Sequence, residues 1–114
     1  MFFINLGDFE VIHLDSNGYS LISSCTFINS SNTEERQGGS ITVKCNQSAL
    51  RKVCSIGSMS TSSYGARFAF IQISTEAGLN FYTEISVLNS NRGSNIGYNG
   101  ICVDSGKFAF TRNN

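Results

Sequence analysis

The 114-residue chain has no proline. Proline cannot donate to a β-ladder, so its absence suits a backbone whose N–H groups are nearly all committed to inter-strand hydrogen bonds. Charge is also scarce. Asp, Glu, Lys and Arg make up 14% of the residues, and eight basic side chains balance eight acidic ones. Arg36, Lys44, Arg51, Lys52, Arg67, Arg92, Lys107 and Arg112 are scattered, which leaves no basic stripe to follow phosphates and excludes a nucleic-acid partner. The Arg51-Lys52 pair reads as a solvated edge.

No apolar run approaches the ~20 residues of a transmembrane segment, and almost no helical periodicity extends beyond a few residues. The apolar start, Met1 to Asp8, lacks a basic lead and is broken by Asn5 and Asp8, so it reads as a first strand and not as a signal peptide. His13 is the only histidine, C-x-x-C is missing, and the intervals between Cys25, Cys45, Cys54 and Cys102 match no zinc pattern. No metal, cofactor or catalytic residue is assigned.

What the chain does contain is two recurring apolar pairs. The first is Ile12-x-Leu14, Ile41-x-Val43, Phe68-x-Phe70 and Ile101-x-Val103, advancing by 29, 27 and 33 residues. The second is Cys25-x-Phe27, Cys54-x-Ile56, Ile85-x-Val87 and Phe108-x-Phe110, advancing by 29, 31 and 23. Residues two apart on a strand point the same way, so each pair aims two side chains at one core. One pair cannot bury itself, but copies stacked about 4.8 Å apart as parallel strands form continuous apolar columns. The pattern therefore predicts an all-β chain, a parallel β-helix or solenoid of about four coils in one domain over 1–114, with these sixteen residues inward. Phe68 to Ile71 is apolar on both faces, and a one-residue slip would place Ala69, Ile71 and Ile73 inward instead. Asn, Gly and Ser fill the intervals, at Asp15 to Gly18, Asn29 to Asn32, Gln37 to Gly39, Ser74 to Gly78, Asn89 to Asn95 and Tyr98 to Gly100. These residues suit tight corners, because glycine tolerates positive φ and Asn and Ser bond nearby backbone. No polar capping element follows the last strand before Thr111 to Asn114. The chain is accordingly expected to be a fragment of a longer protein, with open ends that self-associate end to end.

Gly38-Gly39-Ser40-Ile41, with Phe27 and Asn29 before it, resembles the paired GGA(I/L/V) and FxxN signatures of polymorphic outer-membrane proteins. Ser40 stands in place of alanine, and Asn29 follows Phe27 by two positions instead of three. Tyr64-Gly65-Ala66 and Asn99-Gly100-Ile101 look like degenerate versions of the same corner. With its Asn, Ser and Cys content, the chain also looks like the right-handed parallel β-helix surface-type proteins of parabasalid protists. The resemblance spans roughly residues 9 to 112. It implies a right-handed, passive, exposed scaffold for attachment or display, with no catalytic residues.

Equivalent positions in successive copies put Cys25 on Cys54, at a Cα separation a disulfide can span, although parallel neighbours present their Cβ vectors side by side and stacked free thiols are the expected state. Four cysteines allow three pairings, and spacing does not choose among them. The outer positions of the first pair series read His13, Thr42, Ala69 and Cys102, which separates His13 from Cys102 by three strands, about 14 Å. Those of the second read Thr26, Ser55, Ser86 and Ala109. Neither series carries an acid, and a polysaccharide lyase or hydrolase needs carboxylates grouped on adjacent coils. Glu84 and Asp104 stand singly and Glu34-Glu35 lie in a turn, so a carbohydrate-active β-helix fragment is the alternative, not the preferred reading. Thr26 and Thr42 alone do not make the regular threonine array of a lattice binder. Asn29-Ser30-Ser31 and Asn46-Gln47-Ser48 match glycosylation acceptors. The expected function is a non-enzymatic β-solenoid module of a surface or secreted interaction or adhesion-type protein, meeting a protein or glycan ligand on its outer face.

Overall fold

A computed structural model describes residues 1–4, 11–32, 38–60, 66–88 and 100–113. The expected turns around Glu34-Glu35, Tyr64-Gly65, Asn89 to Asn95 and Tyr98-Asn99 lie outside the described residues. Described are strands β1 (Phe2–Ile4), β2 (Ile12–Asp15), β3 (Tyr19–Ile28), β4 (Ser31–Asn32), β5 (Ile41–Cys45), β6 (Gln47–Ile56), β7 (Met59–Ser60), β8 (Ala69–Ile73), β9 (Leu79–Leu88), β10 (Ile101–Asp104) and β11 (Lys107–Thr111). They form three sheets, of five strands in the order β1-β3-β6-β9-β11, four in the order β10-β8-β5-β2, and two, β4-β7. All pairings between them are parallel. Tyr19 pairs with Gln47, Ser48 with Asn80 and Leu79 with Lys107, so the chain returns to register after 28, 32 and 28 residues. The fold is all-β with parallel sheets, an arrangement compatible with a β-helix.

In the four-stranded sheet Ile12, Ile41, Ala69 and Ile101 form one column and Leu14, Val43, Ile71 and Val103 the next. Ala69, Ile71 and Ile73 thus take the inward positions, the slipped register, and Phe68 and Phe70 do not continue the Ile41 and Val43 columns. Phe68 instead occupies the corner before β8, where its carbonyl accepts the N–H groups of Ser40 and Ile41 and its ring lies 5.7 Å from that of Phe27. Phe70 falls on Thr42 on the opposite face, and both are buried.

The five-stranded sheet departs further from expectation. Cys25 pairs with Val53, which in turn pairs with Ile85, and Phe27 pairs with Ser55, which pairs with Val87. Cys54 pairs with Thr26 and points away from the core, so Cys25 and Cys54 are not stacked, and Ile56 also leaves the inward set. Phe108 and Phe110 fall on Asn80 and Tyr82, in the first half of β9 and not on Ile85 and Val87. The cause is a single residue in each long strand. Ser24, Lys52 and Glu84 have φ of 55°, 52° and 55°, and Arg112, just after β11, has 52°. A left-handed residue reverses the inward-outward alternation, so Ile22 and Cys25, three apart, both face the core.

The core joins Ile22, Phe27, Ile41, Val43, Leu50, Val53, Ile71, Tyr82 and Ile85, all buried. It contains an ordered polar element. The Ser48 hydroxyl and backbone N–H donate to Asn80 Oδ1 at 2.7 and 3.0 Å, and Asn80 Nδ2 donates to the Lys107 carbonyl at 3.0 Å. The Tyr82 hydroxyl lies 2.9 Å from Ser48 Oγ. Since Ser48 already donates to Asn80, the phenol is the donor of that bond. Burial pushes the Tyr82 phenol up to about 12.

A Cβ on Gly38 would collide with the carbonyl oxygens of Ile41 and Phe68, and one on Gly39 with those of Arg67 and Met59. Two side chains are therefore missing at the Gly38-Gly39 corner because backbone occupies their space. Gly38→Ala is expected to lower unfolding stability by about 3 kcal/mol or to prevent folding, whereas Gly18→Ala, with nothing near its Cβ, stays within about 0.5 kcal/mol in urea melts.

The Tyr82 phenol is neutral in the folded chain over a range where it ionises in the unfolded one, so its stabilisation is complete below pH 10 and is lost as pH rises toward 12. Stability should fall by up to about 1.4 kcal/mol per pH unit in that window, and urea melts of Tyr82→Phe should lack this component of the fall.

Candidate functional site on the outer face of the five-stranded sheet

The left-handed residues divide the outer face of the five-stranded sheet into two facets. On the first, the outer columns are Tyr19 beside Gln47 with Leu79 beside Lys107, then Leu21, Ala49, Phe81 and Ala109, then Ser23, Arg51, Thr83 and Thr111. Tyr19 is 82% exposed, Leu21 68%, Phe81 55% and Leu79 45%. On the second, Phe2, Thr26, Cys54 and Ser86 form one column and Ile4, Ile28, Ile56 and Leu88 the other. Phe2, Ile4 and Leu88 are exposed there, while Ile28 and Ile56 are half-buried.

The divide between the facets is charged. Lys52 lies between the pairs Ser23–Arg51 and Cys25–Val53, and Glu84 follows Thr83. Arg112 Nη1 reaches Glu84 Oε1 at 3.7 Å. This accounts for Glu84, which stood alone in sequence and here sits half-buried at a left-handed position beside a cation. Arg51 and Lys52 are exposed, in agreement with a solvated edge.

The residues weighed for chemistry lie apart. His13, Thr42, Phe70 and Cys102 occupy one column, so three strand spacings separate His13 from Cys102, as expected, with Phe70 taking the place assigned to Ala69. Thr42 is buried and its hydroxyl accepts the Gly38 N–H at 3.1 Å, which removes it from any exposed hydroxyl array. Asp104 is exposed at the end of β10. Among the described residues, no three His, Cys, Asp or Glu side chains come together to hold a metal, and no helix is long and apolar enough to cross a membrane. Of the acceptor triplets, Asn29 is exposed with φ of 52°, whereas Asn46 donates through Nδ2 to the Asn17 carbonyl at 2.6 Å.

All four cysteines are free thiols. Burial raises the ionisation points of Cys45 and Cys102, and the Cys45 thiol donates to the Gln47 carbonyl at 3.0 Å. Denatured protein should titrate four thiols, and in the native chain Cys54, outward and half-exposed, should be alkylated well before Cys45, as mass spectrometry of a maleimide time course would show.

The exposed first facet is masked in the sequence by the stronger inward pairs. Its signal was present as Tyr19-x-Leu21 and Leu79-x-Phe81, apolar residues at a two-residue spacing that continue into polar Ser23 and Thr83. No protein-family model matches this chain, and neither does any curated protein or solved structure.

Proposed function

We propose that the chain is a right-handed parallel β-helix module of a surface or secreted interaction protein, non-enzymatic, that engages its ligand through the outer face of the five-stranded sheet. The observation that carries this reading is the first facet, where four large apolar side chains stand in solvent on β3 and β9, either side of β6, while the side chains suited to catalysis are dispersed. A contiguous exposed apolar patch on a soluble chain marks a contact surface. The handedness follows from the strong right-handed preference of connections between parallel strands of one sheet. The likeness of Gly38-Gly39-Ser40-Ile41 to polymorphic outer-membrane protein repeats and to parabasalid surface β-helices points the same way.

The test is retention of the labelled chain on isolated cell-surface material. Retention is expected without release of reducing ends from the glycan fraction, and Leu21→Ser with Phe81→Ser is expected to reduce it at least about tenfold. Glycan cleavage, or retention indifferent to those two substitutions, would refute the reading.

A further inference from the structure

We propose that the first facet docks onto an anionic lipid bilayer surface. The inference rests on the reading of the outer face as a contact surface and names what that facet meets. Tyr19, Leu21, Leu79 and Phe81 project from β3 and β9, and the intervening β6 places Ala49 between Leu21 and Phe81 and Gln47 beside Tyr19. Strands lie about 4.8 Å apart and same-face residues about 7 Å apart, so the four side chains form one shallow apolar plane. Such a plane can sink into the boundary between headgroups and acyl chains without a matching cavity in its partner.

Charge sets the sign of that surface. The outer positions of the facet include the cations Arg51 and Lys107 and no acid. Along the edge beyond Arg51 run Lys52, Glu84 and Arg112, with Arg112 Nη1 3.7 Å from Glu84 Oε1, and the segments leading into the strands at the other edge carry the exposed Asp15, Glu76 and Asp104. A second copy placed face to face would bring Arg51 and Lys107 against a surface with no carboxylate to receive them. The facet is also small for a protein partner. Four strands by five residues span a footprint of roughly 300 Å², well short of the ~800 Å² per partner that stable protein complexes bury. Finally, the central strands β6 and β9 are paired on both sides, β3 over the facet and β11 on one side only, and Thr111 Oγ1 donates to Thr83 Oγ1 at 2.9 Å. The broad face of the facet offers apolar contact and the cations Arg51 and Lys107, the two contributions that hold a peripheral protein on an acidic leaflet.

The test is co-sedimentation of the full chain with vesicles of phosphatidylcholine containing about one-third phosphatidylglycerol, against phosphatidylcholine alone. Binding to the anionic vesicles is expected, weakening as salt rises. Leu21→Ser with Phe81→Ser should cut the partition coefficient about a hundredfold, and Arg51→Gln and Lys107→Gln about fivefold each. Leu88→Ser on the second facet should leave it unchanged. These side chains all point outward, so circular dichroism should show each variant folded. Absence of binding to anionic vesicles, or binding that survives the Leu21 and Phe81 substitutions, overturns the proposal. Heparin separates the two levels of inference. Heparin binding that depends on the facet, without vesicle binding, overturns the bilayer and keeps the contact surface. Facet-independent behaviour toward both probes removes the contact surface as well.

Discussion

One backbone state, repeated at one place in each repeat, organises this molecule. Ser24, Lys52, Glu84 and Arg112 all adopt left-handed φ, which costs a residue with a side chain roughly 1–2 kcal/mol. The cost is accepted four times because the residue does two things at once. It turns the chain without an inserted loop, and it reverses the inward-outward alternation so that both halves of each long strand feed the core. Ile22 and Phe27, Leu50 and Val53, and Tyr82 and Ile85 are all buried because of it. A second such corner follows at Asn29 and Gly57, with φ of 52° and 70°.

This corner also separates what the sequence reveals from what it hides. Parallel strands returning every 28 to 32 residues, the inward Ile41 and Val43 columns and the backbone-filled Gly38-Gly39 corner follow from period-two spacing and residue size. The register of the five-stranded sheet does not. Ser24, Lys52, Glu84 and Arg112 share no residue type associated with left-handed conformations, so nothing marks the reversal. Polar inward residues compound the difficulty. Ser55 faces the core beside Phe27, and the hydrophobic Cys54 and Ile56 flanking it attract an inward assignment that places Cys54 on Cys25 in error. Asn80 is legible only once its partners are known, since a buried amide is tolerable here through its bonds to Ser48 and Lys107.

The candidate site is a by-product of the same geometry. Because alternation is strict within each half-strand, filling the core with Ile22, Leu50 and Tyr82 fixes Leu21, Ala49 and Phe81 on the outside, and two of those three are large and apolar. The corner then sets a charged border beside them. The contact surface proposed on this scaffold therefore consists of outward residues whose placement depends on inward ones.

The most direct test of this account is the register itself, read from cross-strand nuclear Overhauser contacts in solution. Contacts between Cys25 and Val53, Phe27 and Ser55, Ile41 and Ala69, and Phe110 and Tyr82 are predicted, with the amide-to-α pattern of parallel pairs. Contacts of Cys25 with Cys54 and of Phe27 with Ile56, or the close α-to-α pattern of antiparallel hairpins, would contradict the left-handed corner and the parallel sheets built on it.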